Sequence, residues 1–503
     1  MNLKKLLLLS ASALALSMQA QVVGTDTIKN AEALDFDTYM RQLMGESKVR
    51  LDTLPPCFRF RVELKDKAGS PYSLSNPSAY LSEKALARRA KFGIKVDQYD
   101  LPVSPTYLAQ LREAGVKIFN VSKWNNTATI ETPDSAIVEQ IKALPFVKNV
   151  TFTWSQPKVV SVPVLTEEDR TPKNKLEPYK DIYGGAQHQV EMLSIPQLHQ
   201  LGYRGEGVTI ALIDGGFQNA DRVSTVKQEN LLSTYNFVRP DSSVYVEGDH
   251  GLNALSCIVA NEPYALIGTA PEVKFHLLVS EDGLSEQLVE EDNWAAAIEY
   301  ADSVGADLVS SSLGYYHFDH KAMDHTYREQ DGHTSFASRA ASLAASRGLV
   351  VCISAGNEGD NSWKKIGFPS DAKDILTVGA LKADSINTVF SSLGNTADGR
   401  IKPDVAAMGQ DVRLIDADGT ITEADGTSFS CPLMAGAVAC LMQAYPTKKP
   451  LEIIDAVRRS GHNADFPDNV YGYGLPNMMK AYELLKQAPV ATPAKKIIAK
   501  KRK

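Results

Sequence analysis

Cysteine is scarce in this sequence, with five residues in 503, at positions 57, 257, 352, 431 and 440. The number is odd and the spacing wide, which excludes a disulfide framework as the main source of stability. Four of the five sit in apolar segments such as LVVCISAG and AVACLMQA, where a buried free thiol is the expected state. Excess positive charge is missing too. With a formal net charge of −7, no nucleic-acid partner is expected. After the first twenty residues no stretch approaches 18 uninterrupted apolar residues, so no integral membrane segment is expected once the N-terminus is removed. An internal repeat is also absent, which excludes a solenoid or propeller.

What is present begins with MNLKKLLLLSASALALSMQAQ. Lys4 and Lys5, a short apolar run and Ala20 have the layout of a signal peptide over residues 1–20, although Met18 stands where a small residue is preferred. Export to the periplasm or the cell exterior follows. Residues 21–56 form a polar N-terminal extension. Over 57–154 the strand-like FRFRVEL, VKIFNVS, TATIET and VKNVTFTW alternate with the helical YLAQLREAG and SAIVEQIKAL. That order predicts a small α+β, ferredoxin-like domain. Residues 155–186 are rich in proline and charge and read as an exposed linker.

From 187 to 485 the character changes. Short apolar runs (VTIALID, VKFHLLVS, DLVSSSLG, LVVCISAG, DILTVGAL) alternate with the helical EEDNWAAAIEYADSVG and ASRAASLAASRG. Near-continuous apolar strands separated by helices predict an α/β, doubly wound, mostly parallel sheet. Residues 486–503 make a tail in which Lys495, Lys496, Lys500, Lys501, Arg502 and Lys503 are basic, as in a solvated segment.

A doubly wound sheet builds its site at the C-terminal ends of its strands. Asp214 closes one apolar run before two glycines, His250 opens an apolar helical pattern, and Ser428 opens another after Gly426 and Thr427. Taken singly, these are a turn aspartate, a structural histidine and a helix cap. Together they supply what a serine nucleophile needs: a hydroxyl, a base to take its proton, and a carboxylate to hold the base in the right tautomer.

The same segments resemble the subtilisin-like serine proteases, the subtilases. GTSFSCPLMAGAVA is similar to that family's nucleophile segment, GVTIALIDGGF to its aspartate segment and DHGLNALSCIVA to its histidine segment. VVCISAGNEG resembles the segment carrying the oxyanion-hole asparagine, here Asn357. SSSLGYY resembles the strand bordering the substrate cleft, with Ser312, Leu313 and Gly314. The departures are Gly215, Leu252, Asn253, Phe429 and Ser430, none of which removes a catalytic group. The resemblance implies a serine endopeptidase with Asp214, His250 and Ser428 as its triad. Ala355 and Gly356 would border the P1 pocket, with Glu358 at its rim.

It further implies that residues 57–154 are a propeptide that blocks the cleft until cleavage in the linker, so that the chain is a zymogen. Protein or peptide substrates and its own propeptide are the expected partners. No cofactor is required by this chemistry. Structural calcium is frequent in such enzymes, but no ligand spacing here secures a site. His317, His320, His325 and His333 invite a metal reading, against a polar surface insertion. Two other functions use the same fold, a catalytically silent binding protein and a peptide ligase or amidase.

Overall fold

The structure, a computed structural model, describes residues 56–157 and 168–487, with the backbone of three short strands at Gln21–Val22, Lys48–Arg50 and Val159–Ser161. The expected signal peptide over 1–20, most of the extension, part of the linker and the tail from 488 lie outside the described residues.

The N-terminal domain has four antiparallel strands, β1 (Phe58–Leu64), β2 (Lys117–Ser122), β3 (Thr127–Thr132) and β4 (Val147–Ser155), in the order β2-β3-β1-β4. Its helices are α1 (Glu83–Phe92), α2 (Pro105–Glu113) and α3 (Ile137–Lys142). Alternation in FRFRVEL sends Phe60, Val62 and Leu64 into a core shared with Leu111 and Ile141, and Arg61 to the opposite face. This is the ferredoxin-like domain expected, with one addition. Helix α1 starts where Ser82 Oγ accepts the Ala85 N–H and ends at Gly93, whose φ is 70°.

The larger domain is built on seven parallel strands: β5 (Thr209–Asp214), β6 (Leu231–Asn236), β7 (Lys274–Val279), β8 (Leu308–Ser311), β9 (Val350–Ser354), β10 (Leu376–Leu381) and β11 (Val405–Met408). Their order is β11-β10-β9-β8-β5-β7-β6. Alternate residues of each strand feed separate cores. Ile210, Leu212 and Cys352 pack with helices α4 (His250–Val259) and α7 (Thr427–Ala444). Ala211, Ile213 and Ile353 pack with α5 (Val289–Val304) and α6 (Phe336–Ser346). The sheet is therefore doubly wound, as the apolar runs predicted.

Helix α7 is long and apolar enough to cross a membrane, yet 83% of that window is buried inside the domain. It lies between the sheet and the outer helices Pro450–Ser460 and Met478–Lys486, which explains its apolar character all round. All five cysteines are free, and all but Cys57 are buried.

The linker is only partly free chain. Arg170 donates to Asn219 Oδ1 at 2.8 Å, the Lys173 N–H donates to Asp418 O at 2.7 Å, and Tyr183 and Ala186 enter the larger core. Up to residue 182 the described segment is exposed or half-buried, in line with its proline and charge, and these contacts tie it to the larger domain.

The two domains meet on α5, which buries five carboxylates, four of them at this contact. Arg61 donates to both oxygens of Asp292, at 2.8 and 2.7 Å, with its guanidinium 3.7 Å from the Phe336 ring centroid. Arg88 and Arg89 both pair with Asp302. Glu299 accepts from Ser122 Oγ and from the N–H groups of Lys123 and Trp124. Glu291 takes the Ser335 hydroxyl and the His325 ring, with Arg61 3.8 Å away. Unpaired, such buried charges would be strongly destabilising.

Candidate active site

Strand β5 lies between β7 and β8, and its last residue, Asp214, is 2% exposed. The Gly215 N–H donates to Asp214 Oδ1 at 2.8 Å. Two glycines set the approach of the histidine. A Cβ on Gly216 would stand 1.8 Å from Glu247 O, and one on Gly251 would stand 2.3 Å from Gly216 O. With neither present, the Gly251 N–H donates to Gly216 O at 2.8 Å, which ties the start of α4 to the turn after β5. His250, the first residue of α4, then places Nδ1 2.6 Å from Asp214 Oδ1. The Asp214 carboxylate raises the pKa of His250, outweighing the opposing effect of burial.

Ser428 is the second residue of α7, so its backbone N–H is one of the unpaired donors of the helix N-terminus. Its Oγ has no hydrogen-bond partner among the described residues, while its carbonyl accepts from Ser312 Oγ at 2.8 Å. The His250 ring lies 5.8 Å, centroid to centroid, from that of Phe429, the next residue. Ser430 Oγ instead donates to Thr427 O at 3.1 Å and is fully buried. Cys431 Sγ faces Ser311 O, with burial pushing its pKa up to about 12.

The loop after β9 completes the arrangement. Asn357 Oδ1 accepts the N–H and the hydroxyl of Thr427, at 2.9 and 3.0 Å, and the Gly356 N–H donates to Thr427 Oγ1 at 3.1 Å. Ser312, Leu313 and Gly314 continue β8, and Ala355 and Gly356 continue β9. Tyr315 and Phe368 exchange backbone hydrogen bonds of 2.7 and 2.9 Å beyond them. Glu358 is engaged, accepting from Tyr316 Oη at 2.8 Å and from Asn361, and Tyr316 stacks on Trp363 at 4.9 Å.

Sequence reasoning missed Glu281. It follows β7, directly behind the aspartate turn: a Cβ on Gly215 would sit 3.6 Å from the Glu281 Cβ. Its Oε1 accepts from Tyr315 Oη at 2.5 Å, and burial pushes its pKa up to about 8. Its position at a strand's C-terminal end, the criterion that singled out Asp214, was the available signal.

The four histidines do not converge. His317 meets Asp324, His320 meets Ser155 and Phe152, His325 meets Glu291, and His333 meets Asp331. Among the described residues, no group of three or more His, Cys, Asp or Glu is placed to hold a metal ion.

The fold and site together define a doubly wound α/β protein with an Asp–His pair at the end of its central strand and a serine at a buried helix start. The sequence profile of the subtilase family, Peptidase S8, matches residues 205–474, and the chain belongs to that family. A second profile, the Peptidase S8 propeptide domain of Bacteroidota, matches residues 59–170. Subtilisin NAT of Bacillus subtilis subsp. natto is 28% identical over 298 residues, 58% of this chain and 70% of that protein. Subtilisin of Bacillus pumilus is 27% identical over 58% of this chain and 97% of its own. Subtilisin Savinase of Lederbergia lenta is 25% identical over 57% of this chain and 95% of its own.

Proposed function

We propose that the protein is an exported serine endopeptidase made as a zymogen, with Ser428 as nucleophile, His250 as general base and Asp214 as its orienting carboxylate. The 2.6 Å bond between His250 Nδ1 and Asp214 Oδ1, beside the helix start that carries Ser428, supports this reading most directly. The bond assigns the proton to Nδ1 and leaves Nε2 as the basic nitrogen. Ser428 Oγ attacks the peptide carbonyl carbon while its proton passes to His250 Nε2. The developing oxyanion is met by the Ser428 N–H and the Asn357 side-chain NH2. His250 then protonates the leaving amine, and water, deprotonated by the same ring, releases the acyl group. The free Ser428 Oγ accords with a resting site, where catalytic hydrogen bonds tighten only once substrate is bound.

Ser312–Gly314 would pair with the substrate backbone as an added strand, and Ala355 and Gly356 would border the P1 side chain. Glu358, already bonded to Tyr316 and Asn361, is poorly placed to choose a basic P1 residue. A fluorophosphonate probe tests the assignment. It should label the processed protein, and Ser428→Ala should abolish labelling. Labelling that persists in Ser428→Ala but is lost in Ser430→Ala would overturn it, and no labelling of the wild type would favour a silent binding protein. Product analysis with a peptide substrate separates hydrolysis from ligation.

A further inference from the structure

The last strand of the N-terminal domain ends in an unusual grip. At Ser155, both backbone polar groups are taken by one side chain of the other domain. The Ser155 N–H donates to Gln287 Oε1 at 2.9 Å, and Gln287 Nε2 donates to Ser155 O at 3.0 Å. A primary amide meeting N–H and C=O in this way reads an extended backbone and ignores the side chain between them. Beside it, the His320 ring lies 3.4 Å from Ser155 Oγ and edge-on to Phe152 at 5.8 Å.

The grip belongs to the larger domain and is held from within it. Glu290 on α5 accepts the N–H of Asp282 at 2.9 Å and that of Gln287 at 3.0 Å, bracing both ends of the loop. On the loop's other flank, the Asp319 N–H donates to Glu286 O at 2.8 Å and Asp319 Oδ2 accepts the Glu286 N–H at 3.2 Å. None of these bonds needs the N-terminal domain, so the loop that carries the amide keeps its bracing when that domain leaves.

The location fits the cleft. The Gln287 loop follows β7 and the His320 segment follows β8, and these strands flank β5, which ends in Asp214. Tyr315, which continues Ser312–Gly314, bonds to Glu281 at the start of the Gln287 loop. Chain direction fixes the side. The N-terminal domain arrives at Gln287 travelling towards its maturation segment, so whatever replaces it there lies N-terminal to the scissile bond.

We propose that Gln287 is a substrate-positioning residue, whose side-chain amide takes the N–H and C=O of one substrate residue upstream of the scissile bond, in the place Ser155 holds in the zymogen. This rests on the peptidase reading above. It makes the enzyme one that prefers long, extended polypeptide with little regard to the side chain at that position, and that rejects proline there, which has no N–H to give.

The test uses wild-type enzyme processed from the full chain, and a ladder of fluorogenic peptides sharing one cleavage site and lengthened by one residue at a time at the N-terminus. For two hydrogen bonds, kcat/KM should step up about tenfold at the length that reaches Gln287, with the gain in KM. Gln287→Ala should reduce the long-to-short ratio to about one. Gln287→Glu, which keeps the acceptor and loses the donor, should fall between. Replacing the amide of the gripped residue by an ester should cost the wild type most of the step, a result that needs no variant to fold. An undiminished step in Gln287→Ala, or a flat ladder in an enzyme that cleaves the short peptides, overturns the inference alone. Failure to cleave any peptide or to take the fluorophosphonate probe overturns the peptidase reading, and the inference with it.

Discussion

Thr427 donates twice to the same atom: its N–H and its hydroxyl both reach Asn357 Oδ1, at 2.9 and 3.0 Å. A backbone N–H can only donate, so the amide oxygen is fixed and the NH2 is turned towards Gly426, where a Cβ would lie 3.5 Å from Nδ2. Asn357→Asp keeps the shape and the acceptor but loses the donor, and adds negative charge where negative charge develops. We predict a fall in kcat of about 10²–10³, the size established for such a donor in subtilisin itself, with KM nearly unchanged. Steady-state kinetics on a peptide substrate decide it, and an unaltered kcat would remove Asn357 from the oxyanion site.

The Asp214–His250 bond carries a pH signature. The carboxylate favours the imidazolium and so raises the pKa of His250 from the ordinary 6.5. The base works only when neutral, so a higher pKa moves the acid limb of kcat/KM to higher pH. Asp214→Asn removes that charge, and the limb should shift to lower pH while activity falls about 10⁴-fold, as the same replacement does in another Asp–His–Ser triad. A limb that stays put in Asp214→Asn would show that another group sets it.

Most of the candidate site could be read from the sequence because each part sits at a boundary marked by glycine. Asp214 precedes Gly215 and Gly216, His250 precedes Gly251, and Ser428 follows Gly426, each where the backbone must approach closely or turn. The strands of the main sheet were legible for a related reason: both faces are covered, so β5, β7, β8, β9 and β10 are buried along nearly their whole length and mostly apolar. The edge strands β6 and β11 lacked that signature, since LLSTYN is largely polar and VAAM is four residues long. Helix α1 was missed because EKALARRAKF is dominated by charge, and charge reads as a solvated face. Its buried side instead carries Arg88 and Arg89, whose shared partner Asp302 lies more than 200 residues away, while Arg89 also pairs with Asp100. Long-range ionic pairing of this kind leaves no local pattern.

The thiols should be inert in the folded protein. Burial pushes the pKa values of Cys257 and Cys431 up to about 12 and also raises those of Cys352 and Cys440. At neutral pH almost no thiolate exists to react. Iodoacetamide should therefore leave the native mature enzyme unmodified and fully active, and should add four carbamidomethyl groups in denaturant. Mass spectrometry counts them, and rapid alkylation of Cys431 in the native state would contradict its burial beside Ser311.

The contact between the domains should separate two carboxylates by opposite pH behaviour. Burial raises the pKa of Asp302, but Lys123, Arg88 and Arg89 outweigh it and hold the group below its ordinary 3.8. Its contribution to holding the N-terminal domain is therefore complete above that value and lost only as pH falls through the lowered one. Glu299 is the reverse. Burial pushes it up to about 7 despite Lys123, so it takes up a proton when the domains dock. Its contribution is complete below the ordinary 4.5 and is lost as pH rises through about 7. We predict that the processed N-terminal domain dissociates faster at pH 8 than at pH 5, and that Glu299→Gln flattens this difference. Asp302→Asn should speed release at both pH values, because it leaves Arg88 buried without a counter-charge. Breaking such a pair costs about 3–5 kcal/mol, or roughly 10²–10⁴ in affinity. Size-exclusion chromatography of the processed protein over time gives both rates, and a release rate in Asp302→Asn equal to the wild type would show that the arginine pair does not hold the domains together.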